Sequence, residues 1–266
     1  MKMFSIVCLM LLCHSIFVSC DDNALQPKSI FILAGQSNMA GRGGMDKGKL
    51  VEIPSECHST PQILRLNPEL AWEEAKEAIH TGIDPKECGI GPGMIFANSV
   101  LQRDPNIGVI GLVPCAVGGT SISRWLPGND LYVKMLSRTQ AALNNGGGEI
   151  KALLWYQGEN DMINEDTANK YKSNLETLLT QLRSDLQLPN LPVIEVALAS
   201  KGKEGKESFG PYFDVVRSAQ LEMPNLLPNV KCVDALGLEV LTVDYLHLTA
   251  KAQVKLGKML AAAFLG

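Results

Sequence analysis

Five short apolar runs, each separated from the next by a helical pattern, constrain this chain more than any other feature. They are "SIFILAG" (29–35), "IGVIGLVP" (107–114), "IKALLWYQG" (150–158), "PVIEVALA" (192–199) and "NVKCVDA" (229–235). Each is rich in Val, Ile and Leu and none alternates cleanly, as expected of strands buried on both faces of a parallel sheet. Between them, residues 91–102 open with Pro92 near a helix start, and residues 129–145 begin at a capping Asn129 and stop at glycines. Residues 165–186 set Tyr171, Leu175, Leu178, Leu179 and Leu182 on one helical face. Residues 211–223 and 249–265 complete the set. This alternation predicts an α/β fold with a right-handed, doubly wound parallel sheet. Residues 45–90 interrupt it with a long irregular excursion, half-helical at "PELAWEEAKEAIH", and loops of that length usually shape a site.

With 46% apolar and 20% charged residues, no internal repeat and no linker, residues 21–266 read as one domain. The net charge of −4 and the lack of a basic run argue against nucleic acid, whose phosphates demand clustered Lys and Arg. Residues 1–20 read as a secretory signal peptide, with an uncleaved N-terminal anchor as the alternative: Lys2, a short apolar stretch, then small Val18 and Cys20 before Asp21-Asp22. Its removal leaves 23 basic against 28 acidic side chains, a charge of −5, in a secreted protein. No other apolar run reaches membrane-spanning length, so no membrane association is expected after cleavage. Oligomeric state is not legible.

Four cysteines remain, Cys57, Cys88, Cys115 and Cys232. In a flavodoxin-like strand order, 2-1-3-4-5, Cys115 and Cys232 lie toward opposite sheet edges, too far apart to bridge. Cys57 and Cys88 share the excursion, and a disulfide between them is the expectation.

Doubly wound sheets carry their sites at the carboxyl ends of their strands, and four polar clusters fall there. In Gly35-Gln36-Ser37-Asn38, Ser37 opens a helix, where it fits either a cap or an exposed nucleophile beside helix N–H groups. In "CAVGGTSISRW", Gly118 and Gly119 fit a turn or a close backbone approach to a ligand. In "WYQGEND", Gln157, Glu159, Asn160 and Asp161 fit a turn and cap or an amide donor to an oxyanion. In "DYLHLTAKAQ", Asp244 stands three residues before His247, close enough for a carboxylate to hold an imidazole in one tautomer. A hydroxyl, a glycine loop, a side-chain amide and a late Asp-x-x-His are together the parts of acyl transfer.

The blocks "AGQSNMAGRGG", "RLNPELAWEEAKEAIH", "GIGPGMIFAN", "VPCAVGGTSISRW", "WYQGEND" and "DYLHLTAKAQVKLG" resemble the plant carbohydrate esterases of the sialate O-acetylesterase-like (SASA) family, within the SGNH hydrolases. The resemblance runs from about residue 28 to the C-terminus. It implies a flavodoxin-like three-layer α/β/α sandwich with a five-stranded parallel sheet, and cleavage of acetyl esters from carbohydrates without metal or cofactor. It assigns Ser37 as nucleophile, His247 as base and then acid, and Asp244 as its orienter. Ser37 N–H, with Gly118 or Gly119 N–H, would form the oxyanion hole. Close relatives usually carry Gly-Glu-Ser-Asp where this chain has Gly158-Glu159-Asn160-Asp161, which leaves open whether Asn160 or Gln157 completes the hole. Gln36, Arg42, Trp125 and Glu159 lie in the same blocks and are the candidates for sugar contacts.

Other readings fit less well. A nucleotide site fails for want of Gly-x-Gly-x-x-Gly or Gly-Lys-Ser/Thr spacing. An α/β-hydrolase elbow fails because Met39 occupies the second glycine position. A lipase lacks an apolar lid. A secreted carbohydrate-binding protein on an esterase scaffold is the alternative of a different class.

Overall fold

In the computed structural model, residues 28–51, 53–206 and 209–266 are described, so the signal-peptide expectation lies outside the described residues. The central sheet holds β1 (Lys28–Gly35), β2 (Ile63–Leu66), β3 (Trp72–Glu74), β4 (Val109–Pro114), β5 (Gly148–Tyr156), β6 (Val193–Ala197) and β7 (Val230–Asp234). Their order is β3-β2-β4-β1-β5-β6-β7, parallel throughout except for the antiparallel edge pair β2–β3. The five expected strands take the expected 2-1-3-4-5 order. The sheet has seven strands rather than five.

The two extra strands come from the excursion. "AWEEAKEAIH" has helical spacing, yet Trp72–Glu74 is a strand. Cross-strand chemistry decides it: Glu73 sits in register with Arg65 and takes its guanidinium at 2.7 Å. The Trp72 indole N–H donates to Asn145 O at 2.8 Å, and its ring lies against Gly111 of β4. Local propensity loses to these pairings.

The helices α1 (Gly93–Arg103), α2 (Asp130–Asn144), α3 (Glu165–Asp185), α4 (Phe213–Leu226) and α5 (Ala250–Leu265) match the expected segments closely. Phe31 and Ala34, three apart on β1, face opposite ways. Phe31 meets Phe96 of α1 and Phe264 of α5, both edge-on with centroids 4.9 Å away. On the other face Trp155, in register with Ala34, meets Trp125 edge-on and takes Tyr171 of α3 against its indole. The sheet is therefore covered on both sides, and Tyr171, Leu175, Leu178, Leu179 and Leu182 are all buried, as their spacing required. No helix among the described residues is long and apolar enough to cross a membrane.

The expected Cys57–Cys88 disulfide is absent: all four described cysteines are free. Cys57 is buried in a short turn (Ser55–Cys57) packed on α1, whereas the Cys88 thiol donates to Lys86 O at 3.4 Å beside Arg42. Sharing an excursion does not bring two thiols together.

At the carboxyl ends of β1 and β5 the chain is pinned. Gly35 has φ +127°, and a Cβ there would stand 2.1 Å from Tyr156 O, so only glycine fits. Gln36 N–H then donates to the same carbonyl at 2.8 Å. The strand is thus forced to turn at once into a single helical turn, Ser37–Ala40, over the sheet rim.

Candidate active site

Ser37 is not a cap. Gln36 holds the cap position, its side chain making no capping bond to the helix, and the Ser37 hydroxyl points instead at His247, Oγ to Nε2 2.8 Å. His247 Nδ1 lies 2.6 Å from Asp244 Oδ2. The other Asp244 oxygen accepts the N–H groups of Leu246 (2.9 Å) and His247 (3.0 Å), so the Asp-x-x-His segment is a carboxylate-closed turn rather than helix. Burial acts on Asp244 most strongly and pushes its carboxyl up. The hydrogen bonds from His247 and the two N–H groups together outweigh it and hold the carboxyl below its ordinary range.

Asn38 locks this turn to the serine. Its Nδ2 donates to Glu159 Oε1 (2.7 Å) and Leu246 O (3.3 Å), and its Oδ1 accepts Leu248 N–H (3.0 Å). From α5, Gln253 Nε2 donates to Asn38 O at 2.9 Å. The helix α5 thereby grips the serine turn, and the Asn38 bonds to Leu246 and Leu248 hold the histidine turn beside it.

An open pocket of about 390 Å³ lies over the Ser37–His247 pair. Gln36, Gly119, Glu159 and Asn160 line its floor and wall, Arg42 and Lys86 one rim, and Ile163 and Leu246 an apolar rim. Three of these groups carry N–H donors with no partner among the described residues: the backbone N–H groups of Ser37 and Gly119 and the Asn160 side-chain amide, whereas the Asn160 backbone N–H donates to Gln36 Oε1 at 3.4 Å. Gly119 reaches its orientation with φ +72°, which favours glycine.

Several sequence candidates are placed elsewhere. Gly118 N–H does not face the pocket; it donates to Asp84 Oδ2 at 3.1 Å. Gln157 is wholly buried, its Nε2 shared among Asp161 Oδ2 (2.6 Å), Thr120 O (2.9 Å) and Gln36 Oε1 (3.1 Å), which leaves nothing for an oxyanion. Its work is to tie the loops together, since Asp161 Oδ2 also accepts Ile122 N–H at 2.9 Å. Burial raises the Asp161 carboxyl to about 6 against these hydrogen bonds. Trp125 is fully buried, with Nε1 on Thr120 Oγ1 at 3.2 Å, and cannot touch a sugar.

Arg42 lines the pocket but is held in an ion pair with Asp84 at 2.6 Å. Glu159 is buried at the pocket floor, where desolvation raises its carboxyl above the ordinary range despite the Asn38 hydrogen bond. Asp84, Lys86, Ile163 and Leu246 escaped sequence reasoning, the first two because they lie in the irregular excursion and carry no motif of their own. No cluster of three or more metal-ligating side chains occurs among the described residues.

A serine turn, a glycine loop and a late Asp–His turn thus meet on one rim of a doubly wound sheet. Residues 27–266 match the SASA profile, described as carbohydrate esterase, sialic acid-specific acetylesterase. The chain belongs to the SASA family. It is 50% identical over 250 residues to the probable carbohydrate esterase At4g34215 of Arabidopsis thaliana, covering 91% of this chain and 92% of that protein. The solved structure of the Arabidopsis protein AT4G34215 superimposes with a TM-score of 0.83 at 49% identity, over 90% of this chain and 98% of that one. The structure of NanS shares the fold at 19% identity, TM-score 0.72, over 90% and 97% of the two chains. Membership in the SASA family makes this chain a hydrolase of ester bonds.

Proposed function

We propose that the protein is a serine esterase that removes acetyl groups from sugars or cell-wall polysaccharides, through a Ser37–His247–Asp244 triad and an acetyl-enzyme intermediate. The observation that carries the reading is the unbroken relay of 2.8 Å from Ser37 Oγ to His247 Nε2 and 2.6 Å from His247 Nδ1 to Asp244. Asp244 holds the imidazole with its proton on Nδ1, leaving Nε2 to take the serine proton as Oγ attacks the acetyl carbonyl. The oxyanion that forms is met by the N–H groups of Ser37 and Gly119 and by the Asn160 amide, each donor contributing roughly 3–4 kcal/mol in such sites. His247 then protonates the departing sugar oxygen, and water, activated by the same base, releases acetate. Lys86, Arg42 and Asn160 offer polar contacts to the sugar, with Ile163 and Leu246 against its apolar face. The short apolar segment ahead of residue 21 supports secretion.

The test is turnover of 4-nitrophenyl acetate, followed by acetate release from a panel of acetylated wall polysaccharides. Wild-type turnover with none in Ser37→Ala is expected. Glycan binding by both proteins without hydrolysis would replace the esterase with a carbohydrate-binding protein on its scaffold.

A further inference from the structure

Asp84 is a buried charge that the reaction above leaves without a task. It lies in the loop between β3 and α1, and its side chain is wholly shielded from solvent. Oδ2 accepts two donors, Arg42 Nη2 at 2.6 Å and Gly118 N–H at 3.1 Å, while Oδ1 accepts Lys86 N–H at 3.1 Å. Arg42 continues the connection: Nη1 donates to Gly41 O at 2.6 Å, and Gly41 N–H donates to Ser37 O at 2.8 Å. A charged strut therefore runs from the serine turn through Arg42 and Asp84 to the glycine loop. It has little slack. A Cβ on Gly118 would stand 2.5 Å from Arg42 Nη2, 3.1 Å from Asp84 Oδ2 and 3.4 Å from Ser37 Cβ.

The glycine loop is held at both sides of this contact. Val117 N–H donates to Gly35 O at 3.0 Å, and Thr120 Oγ1 donates to Val117 O at 2.8 Å. Between these anchors the two glycine amides have different fates. Gly118 N–H is spent on a carboxylate, a charge-assisted bond stronger than a neutral one. Gly119 N–H is left for the pocket.

We propose that Asp84 is the positioning residue of the oxyanion site: by holding the Gly118 N–H it turns the Gly119 N–H toward the reacting carbonyl, at a fixed spacing from the Ser37 N–H. The proposal rests on the esterase reading. Such donors act only when held to within about 0.5 Å of the productive geometry. Arg42 offsets the charge of Asp84, so the strut brings no net negative field to a place meant for an anion.

Steady-state hydrolysis of 4-nitrophenyl acetate by Asp84→Ala, which removes the acceptor of the Gly118 N–H, decides the matter, because two effects of the change have opposite signs. Loss of positioning slows the reaction, whereas an Arg42 freed of its counter-charge favours an oxyanion and speeds it. The expected result is a fall in kcat of about 30- to 100-fold, less than losing a donor outright, with KM within about threefold. The pH midpoint of kcat/KM should not move, since Asp84 does not touch His247. A kcat within threefold of wild type, a higher kcat, or a shifted midpoint overturns the proposal. If Asp84→Ala does not fold, Arg42→Gln cuts the strut at its other end, and kcat should fall about tenfold; a change under twofold overturns the proposal equally. Ser37→Ala separates the two levels. Turnover by that variant would sink the esterase reading itself, whereas an inert Ser37→Ala beside a fully active Asp84→Ala sinks only the role of Asp84.

Discussion

Asp244→Asn should separate the chemistry of the site from its architecture. Oδ1 of Asp244 accepts two backbone N–H groups, and only Oδ2 faces His247. An asparagine that keeps its oxygen on the two N–H groups presents an NH₂ to Nδ1. The imidazole must then accept at Nδ1 and carry its proton on Nε2, facing Ser37 with nothing to receive the serine proton. The wrong tautomer costs serine hydrolases roughly four decades in kcat, and at 1.36 kcal/mol per decade that is about 5.5 kcal/mol of transition-state stabilisation. Asp244→Asn keeps both backbone hydrogen bonds, so at neutral pH it should lose only the modest stability that the lowered carboxyl supplies. Asp244→Ala, by contrast, also orphans the two N–H groups, at about 1 kcal/mol each, or a fall of roughly 4–8 °C in Tm for a chain of this size.

Acid adds a sign. The carboxyl is held below its ordinary range in the fold, so its stabilising share is complete above about pH 4 and disappears only as pH falls through the lower folded value. Wild type should therefore lose its margin over Asp244→Asn below pH 4 and not in the neutral range. The assays are 4-nitrophenyl acetate turnover and thermal unfolding from pH 3 to 8. An Asp244→Asn enzyme within tenfold of wild-type kcat would refute the orienting role. Equal Tm losses for Asn and Ala would refute the division of labour between the two oxygens.

Two further outcomes follow from the buried groups. Glu195 is fully buried in β6 with both oxygens unpartnered, and burial pushes its carboxyl well above the ordinary range. The unfolded chain releases this proton near pH 4.5 while the fold retains it, so Glu195→Met should raise Tm by several degrees at pH 8 and much less at pH 4; a pH-independent difference would count against this. Alkylation of the denatured protein without reductant should label Cys57, Cys88, Cys115 and Cys232 alike, and joint protection of Cys57 and Cys88 would restore the disulfide.

Strand identity and order were legible because four of the five expected strands are buried along most or all of their length and announce themselves as apolar runs, while the edge strand Val230–Asp234 still carries buried Val230 and Val233. The two strands of the excursion were not, since Ile63–Leu66 is short and Trp72–Glu74 is held by an ion pair to Arg65 and an indole bond to Asn145, which its local helical spacing does not announce. The same division runs through the site. Asp244 and His247 stood out because they are three residues apart, and Ser37 because it stands just past a buried strand; the structure brings all three together. Which glycine N–H is free, and which amide faces the pocket, depends on where Asp84 and Asp161 direct their oxygens. Asp84 arrives from another loop and Asp161 from a turn whose shape the sequence does not give, so Gly118 stands open beside Gly119, and Gln157 beside Asn160, although each already serves a neighbour. Trp125 misled for a related reason: an aromatic beside a site block looks available until Trp155 is packed against it.

The grip of α5 on Asn38 also sets a schedule for the newly made protein. Ser37 and the histidine it needs are 210 residues apart, and the Gln253 latch is farther still. At 5–20 residues per second, a ribosome takes about 10–40 s to travel from one to the other. Throughout that interval the hydroxyl is an ordinary alcohol. On the proposed triad, catalytic power is switched on only when residues 244–253 reach the serine turn, so a chain cut short before residue 247 should hydrolyse no ester.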